Sequence, residues 1–326
     1  MQPAVRKKQL ELARRHKAEL IQHYGLRVKK ILRNGPRFFV AECDMKHLPV
    51  VFKMCLYTKN IDPRTNHGIR REALTLKHFH KNGPTLFRKS TPKVYASGEN
   101  PRSWYIREYL AGEPQNVKES NFTFKSSFFS KPTADFIVDF FISLHRASQR
   151  FPEPLKKNFA RHTLQTNVDL IGWDKLEKFI DLPHISAYAK HFLYERERIF
   201  DSHQTVLTHY EPYASHFFKV SPKLFYIIDW ENVDWGNPAH DISVIWHRSF
   251  HHPSWQSYLI KKFHQKTLYR RAFVDLFEVE VIFQSISNLD YFRRTVHPAE
   301  RPLKKRALHF YQSNIRQVLS GSLSLY

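Results

Sequence analysis

Thr208-His209-Tyr210-Glu211-Pro212-Tyr213-Ala214-Ser215-His216-Phe217-Phe218 opens the stretch on which the reading of this 326-residue chain turns. Leu224-Phe225-Tyr226-Ile227-Ile228-Asp229-Trp230-Glu231 follows it, and Asp234-Trp235-Gly236-Asn237-Pro238-Ala239-His240-Asp241 closes it. The pattern is an apolar approach, a polar loop, a short apolar strand and a carboxylate at the strand's end. Transfer of a phosphoryl group needs one side chain to orient the attacking hydroxyl and oxygen ligands for Mg²⁺ close behind it. Asp229 follows Glu211 by 18 residues, one turn and one strand, a spacing that lets both carboxylates point into one cleft.

This stretch resembles the aminoglycoside phosphotransferase and choline kinase superfamily, which is protein-kinase-like. Its members carry a His-Gly-Asp loop ending in Asn, then Ile-Asp-Trp, then Trp-Gly-Asp-Pro-Ala-Tyr-Asp. Ile228-Asp229-Trp230 and Trp235-Gly236-Asn237-Pro238-Ala239-His240-Asp241 match the second half closely. In the first half Glu211 stands at the catalytic Asp, His216 at the metal-binding Asn and Tyr210 at the glycine, which predicts an altered backbone there. Over about ten residues the loop is also similar to that of lipopolysaccharide-core heptose kinases, which have His at the Asn position. The likeness spans roughly Leu26 to Phe250, with specific motifs only between His209 and Asp241. It implies an α+β, two-lobed fold with a five-stranded antiparallel N-lobe and a mainly helical C-lobe.

Composition bounds the alternatives. A hydrophobic content of 42% with 15% aromatic residues fills a core and excludes wholesale disorder. A formal charge of +22 attracts anions, whether nucleotides, acidic substrates, lipid headgroups or nucleic acid. The basic residues are scattered and no nucleic-acid-binding signature occurs, so specific nucleic-acid binding is not expected. Cys43 and Cys55 are the only cysteines, too few and too far apart for a disulfide framework or zinc site. With no signal peptide and no apolar run of membrane-spanning length, a cytoplasmic location is expected.

Along the chain, 1–25 reads as a basic helix with an apolar stripe of Val5, Leu12, Leu20 and Tyr24. It is either a solvated helix leaning on the first lobe or a device for docking at an anionic membrane surface. Residues 26–111 read β-β-β-α-β-β: Leu26–Leu32, a turn at Asn34-Gly35, Arg37–Glu42, Pro49–Leu56, a helix over Asn66–His80, then Lys93–Ser97 and Ser103–Leu110. Residues 112–326 read as helices at Thr133–Gln149, Thr166–Ile180, Ser186–Asp201, Ala239–Phe250, Ser254–Arg271, Phe273–Arg294 and Leu303–Leu319, interrupted only by the Leu224–Ile228 strand and the loop.

The resemblance assigns the remaining parts. Lys53, the one charge in the strand Val50–Met54, contacts nucleotide phosphates and is held by Glu72 of the following helix. Arg33 and Arg37 compensate for a turn that is poor in glycine. The backbone around Glu108 and Leu110 meets the adenine edge. Glu211, Asp229 and His216 are the catalytic candidates, with Asp229 and His216 on the metal, while His209 and Asp241 support the loop. Acceptor contacts are expected from His247, Arg248, His251, Trp255 and Tyr258, and His145 is expected to be a packed, hydrogen-bonded core residue. A His247/His251 metal pair lacks a third ligand and is not expected. The function implied is ATP-dependent phosphorylation of a hydroxyl on a small, anionic or sugar-like molecule, with Mg²⁺ or Mn²⁺. The alternative is a pseudokinase that keeps the fold without the transfer.

Overall fold

The computed structural model describes residues 3–117, 120, 122–173, 176, 177, 180, 184–294 and 297–325. Gln2, with which the expected basic helix begins, lies outside them. Two compact units emerge. One runs up to Gly112 and includes Tyr226–Val233; the other comprises Glu113–Phe225 and the chain from Asp234 onward. The segment carrying Asp229 thus belongs to the first unit.

That unit is built on a five-stranded antiparallel sheet: β1 (Leu26–Asn34), β2 (Phe38–Met45), β3 (Leu48–Cys55), β4 (Val94–Gly98) and β5 (Trp104–Glu108), in the order β1-β2-β3-β5-β4. Every residue of β3 from Val50 to Cys55 is buried, because helices cover both faces of the sheet. On one side lies α1 (Pro3–His23), whose Ala13 and Leu20 join a core of Phe39, Ala41, Cys43, Val50, Phe52 and Ile106. The stripe expected from sequence is displaced here: Val5 and Leu12 are 38% and 39% exposed. Ala13 and Leu20 lie seven residues apart on one helix face, with Lys17 between them over the Phe39 ring at 4.3 Å, whereas Leu12 projects to the side. Cys43 and Cys55 are buried free thiols.

On the other side lies α2 (Pro63–Asn82). Asp62 caps it by accepting from Thr65 N–H, and Pro63 suits its first turn. Inside the helix Gly68 allows close approach to the Tyr226–Val233 segment, since a Cβ there would stand 3.1 Å from the Glu231 carbonyl oxygen. Phe79 packs edge-on to Trp230, ring centres 5.1 Å apart, and against Phe87 of α3 (Thr85–Ser90) at 4.7 Å.

In the second unit the helix Lys131–Ser148 packs on Pro253–Lys266, and Arg270–Arg294 packs on His240–Arg248 and Lys304–Leu319. Three expected helices differ, the one over Ser254–Arg271 ending at Lys266 with the next beginning at Arg270. The pattern over Thr166–Ile180 gives a helix of Leu164–Asp169, and its Asp174, Lys175, Lys178 and Phe179 lie outside the described residues. Ser186–Asp201 breaks at Arg196 into Ile185–Glu195 and Glu197–Ser202. Arg196 leaves the helical region, and its side chain lies over Phe192 and pairs with Asp275 and Glu278. Short strands also interrupt the helices where none was expected. Val206–Thr208 pairs with Asp234–Gly236, and Glu113–Pro114 with Phe217–Ser221. Segments of two to five residues carry no periodicity of their own and exist through their partners. Gly236 is required in its ladder, because a Cβ would meet the Thr208 side chain at 2.7 Å.

Phe79 is fully buried, so Phe79→Ala should cost about 3–5 kcal/mol of stability through the cavity it leaves. Urea denaturation at fixed pH measures it, and a loss below about 1 kcal/mol would contradict the packing described.

Candidate functional site

Lys53 lies in the middle of β3, between Val40 of β2 and Tyr105 of β5. Its ammonium donates to Glu72 Oε2 at 2.9 Å, Asp229 Oδ1 at 3.0 Å and Glu231 Oε2 at 2.8 Å. An ammonium carries three protons, so these acceptors saturate it. Burial penalises the charged lysine, but Asp229, Glu72 and Glu231 outweigh that and hold its pKa well above the ordinary range. Glu231 responds inversely: burial raises its pKa, Lys53 opposes the rise, and Asp229 and Glu72 add to it.

The carboxylates are fixed as firmly as the lysine. The other oxygen of Glu72, Oε1, accepts from Trp230 N–H at 3.2 Å, and Arg71 donates to the Glu231 carbonyl at 2.9 Å. Asp229 takes a left-handed backbone, φ +67°, which turns the chain sharply after the strand. Ligand oxygens of Glu72, Asp229 and Glu231 lie within 4.8 Å of one another. Sequence reasoning missed Glu231; its signal was a second carboxylate two residues after Asp229, on a turn too short to carry it away.

Arg37 makes a bidentate pair with Asp62, both contacts 3.0 Å, and Arg33 lies over the Phe38 ring at 4.6 Å. At the end of β5, Glu108 N–H donates to the Lys93 carbonyl, its side chain accepts from Lys93 N–H and its carbonyl accepts from Arg107. Leu110 is buried.

In the second unit the loop residues His209, Glu211, His216 and Asp241 come together. Asp241 accepts from His209 N–H at 2.9 Å and Tyr210 N–H at 3.0 Å, pinning the loop by its backbone. Tyr210 adopts φ +68°, so the glycine-like backbone survives the substitution. That conformation costs a non-glycine residue about 1–2 kcal/mol. It is held by the two Asp241 bonds, by Tyr210 Oη donating to the Trp235 carbonyl at 3.2 Å and by ring contact with His240 at 4.4 Å. His216 Nδ1 lies 2.7 Å from the Glu211 carbonyl. Burial raises the pKa of the Tyr213 phenol, Arg248 lowers it, and its hydrogen bond to the Glu211 carboxylate raises it further. Arg248 stacks on the Tyr213 ring at 4.0 Å, and Tyr213 N–H donates to the Glu211 carbonyl at 2.7 Å.

Behind the loop runs a network not foreseen from sequence. Glu280, buried on the helix Arg270–Arg294, accepts from Asn237 Nδ2 at 2.6 Å and pairs with His240 Nδ1 at 2.9 Å. Burial would lower the His240 pKa, but Glu280 overrides it and lifts the value to about 9. Burial raises Asp241 to about 6 against the pull of His240. The two departures from the Trp-Gly-Asp-Pro-Ala-Tyr-Asp pattern therefore answer one residue, since an Asp at 237 would face the Glu280 carboxylate with like charge.

Of the expected acceptor contacts, His247 and Trp255 lie in the core, while His251 and Tyr258 are half-buried. His247 is buried with both ring nitrogens engaged, at the Ser243 carbonyl and Ser285 Oγ. Trp255 is buried and donates to the Ser130 carbonyl, and Tyr258 donates to Asp135. His251 is held in a ring cluster with Phe129 and Phe250. His145 is packed edge-on to Phe263, and neither ring nitrogen has a hydrogen-bond partner among the described residues; burial lowers its pKa to about 3.

The His240 pKa is raised on folding, so its contribution to stability is complete below pH 6.5 and lost as pH rises through about 9. The raised Asp241 acts in a separate, acidic window, from pH 3.8 to about 6. The thermal stability of the wild type should therefore fall between pH 6.5 and 9, and Glu280→Gln should remove most of that slope. An unchanged slope would show that the pair is not charged.

The model of the phosphotransferase enzyme family matches residues 37–274. No curated protein sequence gives a significant match. Among solved structures, the chain is similar to the GDP and kanamycin complex of APH(2")-IIia, with TM-score 0.57, 12% identity and coverage of 94% of this chain and 99% of that one. A thermostable mutant of APH(4)-Ia with ADP and hygromycin B gives TM-score 0.56 at 11% identity, covering 94% and 98%. The macrolide 2'-phosphotransferase MphH from Brachybacterium faecium, as apoenzyme, gives 0.52 at 16%, covering 89% and 96%. At such identities these structures speak for the fold. Taken with the match over residues 37–274 and the Lys53, Asp229 and Asp241 geometry, they lead to one conclusion: the chain belongs to the phosphotransferase enzyme family and is a kinase-like enzyme.

Proposed function

We propose that this phosphotransferase moves the γ-phosphoryl group of ATP to a hydroxyl of a small, anionic or sugar-like molecule. The observation that carries the reading is Lys53, buried in the sheet and held by Glu72, Asp229 and Glu231. A buried, fully charged ammonium steadied by a helix glutamate is what nucleotide phosphates require. The donor set also fits a divalent cation. Glu72, Asp229 and Glu231 offer hard carboxylate oxygens, which suit Mg²⁺ or Mn²⁺. Asp229 and Glu231 would hold the ion, with His216 as a further candidate ligand, while Glu72 stays on Lys53. Such an ion, when bound, neutralises phosphate charge and orients the group in transfer. Lys53 binds phosphate oxygens, and Leu110 takes the adenine-contact role. Glu211, braced by Tyr213, orients the acceptor hydroxyl and accepts its proton as the new O–P bond forms and ADP leaves.

The +22 charge favours an anionic acceptor. Two buried free thiols suit a cytoplasmic setting. Among the described residues no helix is long and apolar enough to cross a membrane. The basic helix α1 leaves contact with an anionic membrane surface as part of the proposal.

A pseudokinase is the second reading, favoured by one observation: the Glu211 carbonyl occupies the His216 Nδ1, at the position where the family has its metal-binding Asn. Two variants separate the readings. Glu211→Gln should lower ATP turnover by about a hundredfold or more while leaving Mg²⁺-ATP binding intact. Asp229→Asn should weaken Mg²⁺-dependent nucleotide binding, followed by thermal shift. Wild-type protein that binds Mg²⁺-ATP but shows no turnover, with turnover appearing in Glu211→Asp, would establish the pseudokinase reading instead.

A further inference from the structure

Between α1 and the β1–β2 turn lies a cavity of about 360 Å³ that takes no part in the site described above. Arg6, Arg14 and Lys17 line it from one face of α1, and Gly35, Phe39 and Tyr57 stand among the residues opposite and beneath. No acidic side chain lines it. Some cations of the same unit have carboxylate partners: Arg27 and Lys29 with Asp44, Arg37 with Asp62, Lys59 and Arg70 with Glu99. Among the described residues Arg6, Arg14 and Lys17 make no ion pair, and Lys17 rests only on the Phe39 ring. Like charges three residues apart on a helix, as at 14 and 17, repel one another, and the first turn of α1 holds no acid. A concave site that gathers unpaired cations over aromatic carbon is short of an anion.

We propose that this cavity is a second anion site, which takes a small molecule or headgroup carrying clustered phosphates. Two guanidinium forks and an ammonium match such a ligand in charge and geometry. Its occupant ties α1 to the β1–β2 turn. The site involves neither Lys53 nor Glu211, and its test does not depend on phosphoryl transfer.

Inorganic tripolyphosphate, titrated by calorimetry without divalent cation, is the soluble probe. Phosphatidylcholine vesicles with and without phosphatidylinositol bisphosphate form the second arm. Arg6→Gln with Arg14→Gln, which leaves Lys17 on Phe39, should weaken binding about tenfold or more, as expected for losing charge-assisted hydrogen bonds. Lys7→Gln with Arg15→Gln removes the same charge from outside the cavity and should leave binding nearly unchanged. The Mg²⁺-ATP thermal shift should be the same in all three proteins. Loss with tripolyphosphate assigns a soluble ligand, and loss confined to the vesicle arm assigns a lipid headgroup; both uphold the site. Equal loss in the two double variants, an accompanying loss of the ATP shift, or no binding of either probe by the wild type would overturn it.

Discussion

A lysine ammonium buried in the centre of a β-sheet is the constraint on which this structure turns. Removing a charge from water costs several kcal/mol unless partners replace the lost hydration. Lys53 has three carboxylates, and each comes from a place the fold must deliver to it. Glu72 requires α2 across the sheet, with Asp62 capping its start and Phe79 packing its end. Asp229 and Glu231 require that Tyr226–Val233 join the first unit, which a left-handed residue at 229 and a glycine at 68 make sterically feasible. Remove any one of these and the others face uncompensated buried charge.

The second unit applies the same logic to a loop. Asp241 fixes two successive backbone N–H groups, and the strain at Tyr210 is tolerated because four contacts determine its position. Around it the chain has exchanged one polar arrangement for another: Asn237, His240 and Glu280 interlock where the family pattern has Asp and Tyr. The departures at 237 and 240 are thus mutually consistent, a different state from random decay. At Glu211 the backbone is likewise held, its carbonyl accepting from Tyr213 N–H and lying 2.7 Å from His216 Nδ1.

The large positive charge is not evenly compensated. Some basic residues around the first sheet are paired on its surface, where each pair contributes little. Arg6, Arg14 and Lys17 make no such pair among the described residues, and they converge on a cavity. Net charge alone could not distinguish a diffuse anion-attracting surface from a shaped one.

The division of labour between sequence and structure follows physical range. The five strands and α2 were legible in the sequence because alternation, an Asn-Gly turn and helical spacing are local signals. Asp229 and Asp241 were legible because each sits in a short contiguous motif, and Lys53 because it is the one charge in an apolar strand. What sequence reasoning lost depended on distant partners. Strands such as Val206–Thr208 exist only through their ladder, and Val5 and Leu12 are exposed while Ala13 and Leu20 pack on the sheet. His247 and Trp255 were taken for acceptor contacts because polarity and ring size do not reveal burial. The sequence by itself determined the kinase-like fold and the residue types of the site. Only the tertiary structure decided that Glu231 joins Lys53 and that Glu280 charges His240, because a buried ion pair is defined by which carboxylate arrives, and no local pattern encodes an arrival from 40 or 178 residues away.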